Sequence, residues 1–349
     1  MNKLFKIPYW LIAVFSWDKS YRNNPIIGSY LLNKLGLHVF RVILSHALFS
    51  FRLWLLTPVI GKADRDFFKK NGFIVKHNFL PEDEFVALKE ELLAYEGEIR
   101  ELPEGDTIKQ LLFLNKKTRS QLPQCQRFSE NKSLNKLIRY CSSKNRLPIF
   151  YVENLNFHNQ DSTFSDPQQN LHIDTFHPCV KGWLFIDDVD SSNGAHIYVP
   201  GSHRLTWKRL RWEYHQSLAQ SLPEKNSLLV NDPTHYYWDG SFRITAEDLQ
   251  SLNYGLPREF SVPANTLLID NVHGFHSRGN PQNKSSRMTI SMHARDNPFN
   301  PLITPCPQLT ANIFEIFWQR ILDKRDQQST KKINATSSSR VYGWTKFSN

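Results

Sequence analysis

The chain has 349 residues, of which 40% are hydrophobic and 13% aromatic, and it carries a formal net charge of +10. This is ample material for a packed core, which excludes a wholly disordered chain, and the length suits one domain with extensions. The charge suits an anionic small molecule, an anionic membrane surface or nucleic acid, and it does not separate them.

The first 60 residues, called the leader below, differ in composition from the rest. A basic stretch, residues 1–6, precedes an apolar one, residues 7–17, as in a signal peptide. No small-x-small cleavage site follows, so we interpret the leader as retained. Residues 35–60 are too interrupted by polar side chains to span a membrane.

One polar stripe is predicted on a mostly apolar helix of the leader, formed by His38, Arg41, Ser45 and Arg52. Such a helix could lie in a membrane interface with its basic side chains toward anionic headgroups. Alternatively, it packs on its own domain or forms a dimer contact, and this second interpretation is slightly favoured.

Two scaffold helices are predicted next, over Asp64–Ile74, stopped by Gly72, and over Pro81–Arg100. A further helix is expected over Leu205–Leu222, and the tail from Lys324 is expected to be disordered. The intervening sequence favours short strands rich in aromatic and β-branched residues. They are Pro148–Phe157, Gly182–Asp187, His196–Val199, Glu259–Val262, Thr266–Asp270 and Met288–Ala294.

These elements predict an α+β, mainly β fold: a sandwich or barrel with flanking helices and an N-terminal helical extension. The expected domain boundaries are 1–62, 63–323 and 324–349. None of the four cysteines (Cys125, Cys141, Cys179, Cys306) forms a C-x-x-C pair, which is typical of reduced thiols and a cytosolic setting.

His172-Ile173-Asp174 is the pattern that carries chemistry. On a strand, residues 172 and 174 point to the same face and can reach one metal ion. His276, 104 residues later, would complete the site from another strand. Two imidazoles and one carboxylate suit iron(II) better than structural zinc, although a catalytic zinc site remains possible.

Each piece of this pattern has alternatives. With 13 histidines in the chain, one H-x-D can arise by chance. His177 and His273 lie close enough in sequence to compete as ligands. We favour His276 because of its setting, Gly274-Phe275-His276, and because Arg287 follows 11 residues later.

Arg287 opens a strand on which Arg287, Thr289, Ser291 and His293 share one face. A polar inner face is unusual for a core but sensible for a pocket that holds an anion. Arg287 and Thr289 would then offer a guanidinium and a hydroxyl to a carboxylate. The alternative is a half-exposed strand with its polar side in solvent.

Four stretches together resemble the phytanoyl-CoA dioxygenase (PhyH) family of iron(II)/2-oxoglutarate oxygenases, over roughly residues 64–300. They are His172-x-Asp174, Gly194-Ala195 with Pro200-Gly201-Ser202-His203, Gly274-Phe275-His276, and Arg287-x-Thr289. The sequence departs from the family at Ile173, where glutamine is frequent, and at Ala264-Asn265, where Gly-Asp is usual.

The resemblance implies a double-stranded β-helix, or jelly roll. It makes His172, Asp174 and His276 the catalytic metal ligands, with Arg287, Thr289 and Trp183 beside the co-substrate and His203 structural. The implied cofactors are Fe(II) and 2-oxoglutarate, with ascorbate as a candidate addition. The implied reaction hydroxylates a C–H bond of a small-molecule or lipid-like substrate and releases succinate and CO2.

Two other functions stay open at this point: a non-catalytic jelly-roll binding protein, and a metal-dependent hydrolase that uses the same ligands. As partners we expect a small-molecule or lipid-linked substrate, no nucleic acid, and a candidate peripheral membrane contact through residues 1–60. The expected location is cytoplasmic or peripheral on the membrane.

Overall fold

The computed structural model describes residues 6–158, 166–222, 239–303, 312–324, 343–345 and 347. The helices are α1 (Ile7–Val14), α2 (Tyr30–Lys34), α3 (Leu37–Leu55), α4 (Lys62–Asn71), α5 (Glu82–Leu93), α6 (Lys116–Arg119), α7 (Pro123–Ser129), α8 (Lys132–Cys141), α9 (Trp207–Gln220), α10 (Ala246–Ser251) and α11 (312–324). Short 3-10 turns cover Thr57–Val59, Pro167–Gln169 and Ser191–Asn193.

The strands are β1 (Phe73–Lys76), β2 (Ile99–Glu104), β3 (Thr107–Phe113), β4 (Ile149–Phe157), β5 (Val180–Phe185), β6 (His196–Tyr198), β7 (Arg258–Glu259), β8 (Leu267–Asn271), β9 (His276–Arg278), β10 (Ser285–Ala294) and β11 (Gly343–Thr345). One sheet has the order β1-β8-β5-β10-β4-β3-β2-β11, and the other has the order β7-β6-β9. The paired strands of the described residues are all antiparallel. This is a jelly roll with flanking helices, as predicted.

β10 lies between β5 and β4 and shows why the large sheet has two different faces. Its side chains alternate, and Met288, Ile290 and Met292 enter the main hydrophobic core, where α5, α7 and α8 cover the sheet. Arg287 and His293 lie on the other face and line a cavity. The predicted division of this strand into an apolar and a polar face is confirmed.

The helix boundaries follow the sequence signals unevenly. α4 ends as predicted, because Gly72 adopts a left-handed conformation with φ +86° at its C-terminal cap. The helix predicted over Pro81–Arg100 is too long: it ends at Leu93, and Ile99–Glu104 forms a strand. The physical reason is that the buried apolar positions at helical spacing stop there, and the following residues pair in a hairpin with β3.

The leader packs on the domain through the polar stripe of α3. Its four side chains are all buried, and they are His38, Arg41, Ser45 and Arg52. Packing on the chain's own domain, the slightly favoured interpretation, is what the structure shows, and a stripe that faces headgroups is not. Within the described residues no helix is both long and apolar enough to cross a membrane.

Buried polar groups of α3 are compensated by specific partners, which explains how they can face inward. His38 Nε2 lies 2.9 Å from Glu213 Oε2 on α9. Arg41 donates to the main-chain oxygens of Val14 and Asp18, and its guanidinium lies 4.0 Å from the ring centroid of Phe176. These contacts tie the leader to the rest of the chain.

Cys125, Cys141 and Cys179 are buried free thiols, and Cys306 lies outside the described residues. The segment expected to be disordered is also largely outside them. Within it, residues 343–345 form β11, which pairs with β2.

Candidate active site

His172, Asp174 and His276 come together at one point. One ligand atom from each lies within 4.8 Å of the others. Oδ1 of Asp174 lies 3.6 Å from Nε2 of His172 and 3.7 Å from Nε2 of His276. The three residues are buried, so the arrangement is not a chance surface cluster.

Main-chain hydrogen bonds create this convergence. The amide of His172 donates to the carbonyl of His276 at 2.9 Å, and the amide of His276 donates back at 3.0 Å. This is an isolated bridge rather than the regular strand predicted for residues 172–174. The alternation still holds, because Ile173 enters a separate apolar cluster while its two neighbours face the site.

Both histidines are held in the tautomer that leaves Nε2 available. Nδ1 of His172 lies 2.7 Å from the carbonyl oxygen of Asn170, and Nδ1 of His276 lies 2.9 Å from that of Gly274. A carbonyl only accepts, so Nδ1 carries the proton and Nε2 a lone pair. Nε2 of His172 is buried and has no hydrogen-bond partner among the described residues.

The protonation states suit a divalent metal ion. Burial lowers the pKa of His172 to about 3 and also lowers the pKa of His276, so both imidazoles are neutral near pH 7. Burial raises the pKa of Asp174, but Lys181, His172, His276 and Arg295 together outweigh this effect and hold the pKa well below its usual range. Two neutral nitrogens and one carboxylate fit iron(II).

The second oxygen of Asp174 is fixed by cations. Oδ2 lies 2.7 Å from Nζ of Lys181 and 3.0 Å from Nη2 of Arg295, which leaves Oδ1 toward the histidines. Neither partner was predicted from the sequence. Lys181 could have been found, because it shares a strand face with Trp183, two residues along β5.

The two competing histidines have other positions. His273 directs Nδ1 to the carbonyl of Thr175 at 3.0 Å, and its Nε2 lies 3.8 Å from Glu213. His177 directs Nδ1 to the carbonyl of Pro178 at 3.2 Å. Neither belongs to the His172–Asp174–His276 cluster.

The Pro200–His203 stretch supports the loop that carries His276. The hydroxyl of Ser202 accepts a hydrogen bond from the amide of Phe275 at 2.8 Å, and the amide of Val199 donates one to the carbonyl of Phe275 at 2.9 Å. His203 is buried behind these contacts, and burial lowers its pKa to about 4. Its place agrees with a structural role.

A small cavity of about 60 Å³ adjoins the cluster. Its lining includes His172, His276, Arg287 and Trp183, whereas Thr289 is buried on the same strand face but does not line it. The cavity therefore brings together three of the predicted site residues from β10, β5 and β9 with His172.

Arg287 is the unusual member of this lining. It is 5% exposed, its Nη1 donates to the carbonyl of Gly194, and its Nε has no hydrogen-bond partner in the described part of the chain. Burial lowers its pKa to about 10, so the guanidinium remains charged at neutral pH. A buried charged donor without an acceptor is costly, and an anion in the cavity would relieve that cost.

His196 also lines the cavity and was missed by the sequence analysis. Its Nε2 lies 2.8 Å from Oδ2 of Asp270, and its ring centroid lies 4.8 Å from that of Trp183 and 5.9 Å from that of His276. It lies on β6, next to β9, so only the sheet pairing brings it to the site.

Asp174 also borders a larger cavity of about 660 Å³. The segment between α1 and α2 contributes Trp17, Lys19 and Arg22 to its lining, together with Arg295 from the domain. Nζ of Lys19 donates to the main-chain oxygen of Asp174 at 2.7 Å. The leader, read from the sequence as a separate extension, thus forms part of the site.

A comparison with known protein families agrees with the resemblance. Residues 68–240 match the family model described as phytanoyl-CoA dioxygenase (PhyH). A search of curated proteins found no match.

Similar solved structures include three enzymes or proteins of low sequence identity. The α-ketoglutarate-dependent epimerase SnoN from nogalamycin biosynthesis is 14% identical, with a TM-score of 0.41 over 65% of this chain and 80% of that one. AviO1 from Streptomyces viridochromogenes Tue57 is 17% identical, with a TM-score of 0.41 over 70% of this chain and 97% of AviO1. HygX from Streptomyces hygroscopicus, solved with nickel and 2-oxoglutarate, is 15% identical, with a TM-score of 0.41 over 67% of this chain and 86% of HygX. Residues 68–240 therefore form a domain of the phytanoyl-CoA dioxygenase (PhyH) family, a family of iron(II)- and 2-oxoglutarate-dependent enzymes.

Proposed function

We propose that the protein is an iron(II)- and 2-oxoglutarate-dependent dioxygenase that hydroxylates a C–H bond of a small-molecule or lipid-linked substrate. One observation supports this most directly. Nε2 of His172 and Nε–H of Arg287 both lack a hydrogen-bond partner among the residues that the structure describes, and the two side chains border the same small cavity. The first needs an electron-pair acceptor and the second needs an anion, as a metal ion with a bound dicarboxylate would supply.

His172, Asp174 and His276 would hold the metal ion, since their ligand atoms converge and their protonation states are suitable. Three ligands leave further coordination positions for a co-substrate. With iron(II) and 2-oxoglutarate bound, the chemistry supplied is activation of dioxygen for oxidation of a C–H bond, with release of succinate and CO2.

Arg287 would bind the far carboxylate of 2-oxoglutarate with a charge-assisted hydrogen bond, and so orient the keto-acid end toward the histidines. Trp183, whose ring packs beside His196, lines the small cavity and would exclude water from it. Thr289 stays a candidate for the same carboxylate, from its place two residues along the strand.

The substrate would occupy the larger cavity, which reaches Asp174. Its lining mixes basic and acidic side chains, among them Lys19, Arg22, Arg295 and Asp239. Such a lining suits a polar substrate part better than a purely apolar one.

The test is binding and consumption of 2-oxoglutarate by the full chain. Under anaerobic conditions, addition of iron(II) and 2-oxoglutarate should produce the visible charge-transfer absorption of an iron–keto acid chelate, and admission of air should release succinate. Asp174→Ala should abolish both signals, whereas Asp66→Ala, which removes an exposed carboxylate of α4, should leave them unchanged.

Two results would contradict the proposal. Metal binding without any 2-oxoglutarate binding would favour a non-catalytic binding protein. Metal-dependent hydrolysis of an ester or phosphate substrate that proceeds equally without 2-oxoglutarate would favour the hydrolase.

A further inference from the structure

The two faces of α3 are reversed relative to a usual surface helix. Its polar side chains point into the protein, and Arg41, for example, is 1% exposed. Arg52 is equally buried and donates to the main-chain oxygens of Pro298 and Asn300. The apolar side chains point outward, and Trp54 is 67% exposed. A water-facing helix normally has the opposite arrangement.

The exposed apolar side chains of α3 form one continuous strip. Phe40, Ile43, Ala47, Phe51 and Trp54 follow one another at spacings of three and four residues, which places them on one helix face. The strip covers roughly 20 Å of the helix axis at 1.5 Å per residue. The rings of Phe51 and Trp54 stack, with centroids 6.0 Å apart.

The other two leader helices add to the apolar area. α2, which packs against α3, exposes further large side chains, and α1 exposes a row at spacings of four residues. We call the whole the apolar leader surface. Its members are Ile7, Leu11, Ile12, Phe15, Leu31, Leu32, Leu35, Phe40, Ile43, Phe51, Trp54 and Leu55. Monomeric soluble proteins rarely leave so many large apolar side chains exposed on neighbouring elements.

The charges of the leader indicate what covers this surface. From Lys6 to Leu55 the sequence has a single carboxylate, Asp18, against six lysines and arginines. Lys6, Arg22 and Lys34 are exposed. An apolar strip with cationic and no exposed anionic groups complements an anionic lipid surface. A second copy of the chain would bring the same positive charges into contact, which disfavours a dimer through this face.

We propose that the apolar leader surface docks the protein on a bilayer that contains anionic lipids. The aromatic side chains enter the interfacial region, where tryptophan and tyrosine are favoured, and the exposed lysines contact headgroups. Docking also sets the position of the substrate cavity. α1 leads through Phe15 to Trp17, which lines the larger cavity, so that cavity lies beside the membrane contact.

Flotation of the full chain with vesicles tests the proposal. The protein should float with phosphatidylcholine vesicles that contain phosphatidylglycerol, and float less with phosphatidylcholine alone or at high salt. The variant Ile43→Glu/Phe51→Glu/Trp54→Glu should lower the vesicle-bound fraction at least about tenfold, since three charges would enter the interface. The matched control is Leu256→Glu/Leu302→Glu/Ile313→Glu, which changes three similarly exposed apolar side chains outside the leader and should float like the original chain.

The same samples separate the competing outcomes. Failure of the original chain to float on both vesicle types, or equal flotation of the α3 variant, overturns the proposal. A dimer in sedimentation velocity that the α3 variant dissociates, without flotation, also overturns it and assigns the surface to a second copy. Because metal and 2-oxoglutarate binding are measured without vesicles, loss of flotation with intact cofactor binding rejects the docking and leaves the proposed function standing.

Discussion

The hydroxyl of Tyr198 occupies the space where a side chain on residue 274 would begin, since a Cβ built on Gly274 would lie 2.0 Å from that oxygen. The hydroxyl is itself fixed, because it donates to the main-chain oxygen of Asn271 at 3.0 Å. The carbonyl of Gly274 accepts from Nδ1 of His276. The absence of a side chain at this position therefore bears directly on a proposed metal ligand.

Gly274→Ala should destabilise the fold by about 1–3 kcal/mol, the usual cost of overpacking. It should also weaken binding of a divalent metal, because the displaced carbonyl no longer orients His276. Urea unfolding and calorimetric titration with manganese(II) measure the two effects. Gly255→Ala is the matched control, since its Cβ would meet nothing within 4 Å. Equal behaviour of the two variants would contradict the steric argument.

Glu213 should be important for stability. It is fully buried on α9, where its Oε1 lies 3.1 Å from Nε of Arg209 and its Oε2 lies 2.9 Å from His38. Glu213→Ala would leave the buried guanidinium without a counter-charge, at an expected cost of about 3–5 kcal/mol in the free energy of unfolding. Urea unfolding would measure the cost, and Glu259→Ala, an exposed carboxylate on β7, should change stability by less than about 0.5 kcal/mol.

The double variant Arg209→Ala/Glu213→Ala tests whether the unpaired guanidinium causes the loss of stability. It should lose less stability than the two single variants added together, because no unpaired charge remains. A cost that is simply additive would show that the pair is not coupled.

Arg287 should determine affinity for 2-oxoglutarate without affecting the metal. Arg287→Met should raise KM for 2-oxoglutarate by roughly tenfold or more, since a buried charge-assisted contact is lost. Manganese(II) affinity should stay the same, because Arg287 is not in the three-residue cluster. Arg211→Met, at an exposed position on α9, is the control. An unchanged KM would remove Arg287 from the proposed co-substrate site.

Acidification should begin to destabilise the protein at pH values well above those at which carboxylates titrate. Burial lowers the pKa of a group of histidines, for example that of His177 to about 3. The group is His46, His172, His177, His203, His273, His276 and His293. The pKa of these histidines in the unfolded chain is about 6.5. Below that pH the unfolded chain binds protons that the folded protein does not, so stability is retained above pH 6.5 and lost as the pH falls below it.

Each such histidine lowers the unfolding free energy by up to about 1.4 kcal/mol per pH unit below that value. Urea midpoints of the metal-free protein at about pH 7.5 and about pH 5.5 should therefore differ strongly. His215→Gln should leave this difference unchanged, because that side chain is exposed in the folded protein. Equal midpoints at the two pH values would contradict burial of neutral histidines.

The sequence predicted the β core well where local alternation is strong. β10 shows this, because its apolar and polar residues alternate without interruption and both faces were assigned correctly. The hairpin β2–β3 was missed, since the helix of α5 was predicted to run on to Arg100 and so covered the start of Ile99–Glu104. The spacing of apolar residues along the chain does not reveal which other strand a short strand pairs with.

The members of the candidate site could be predicted only where they lie close together in the sequence. His172 and Asp174 are two residues apart and were found together, whereas Lys19, His196 and Arg295 reach the site from separate elements. The sequence left two orientations of the leader helix open for a physical reason. The hydrophobic pattern showed that α3 has two faces, but it could not show which one is buried, since buried ion pairs and main-chain contacts outweigh the usual preference.

The reciprocal hydrogen bonds between the main chains of His172 and His276 have a consequence for metal exchange. The two imidazoles are brought together by the backbone when the chain folds, with their ring centroids 4.5 Å apart. Ordering of these ligands therefore belongs to folding rather than to ion uptake, so the site is preorganised. We therefore expect metal to leave and return on a folded scaffold, with little change in the protein's stability when it is removed.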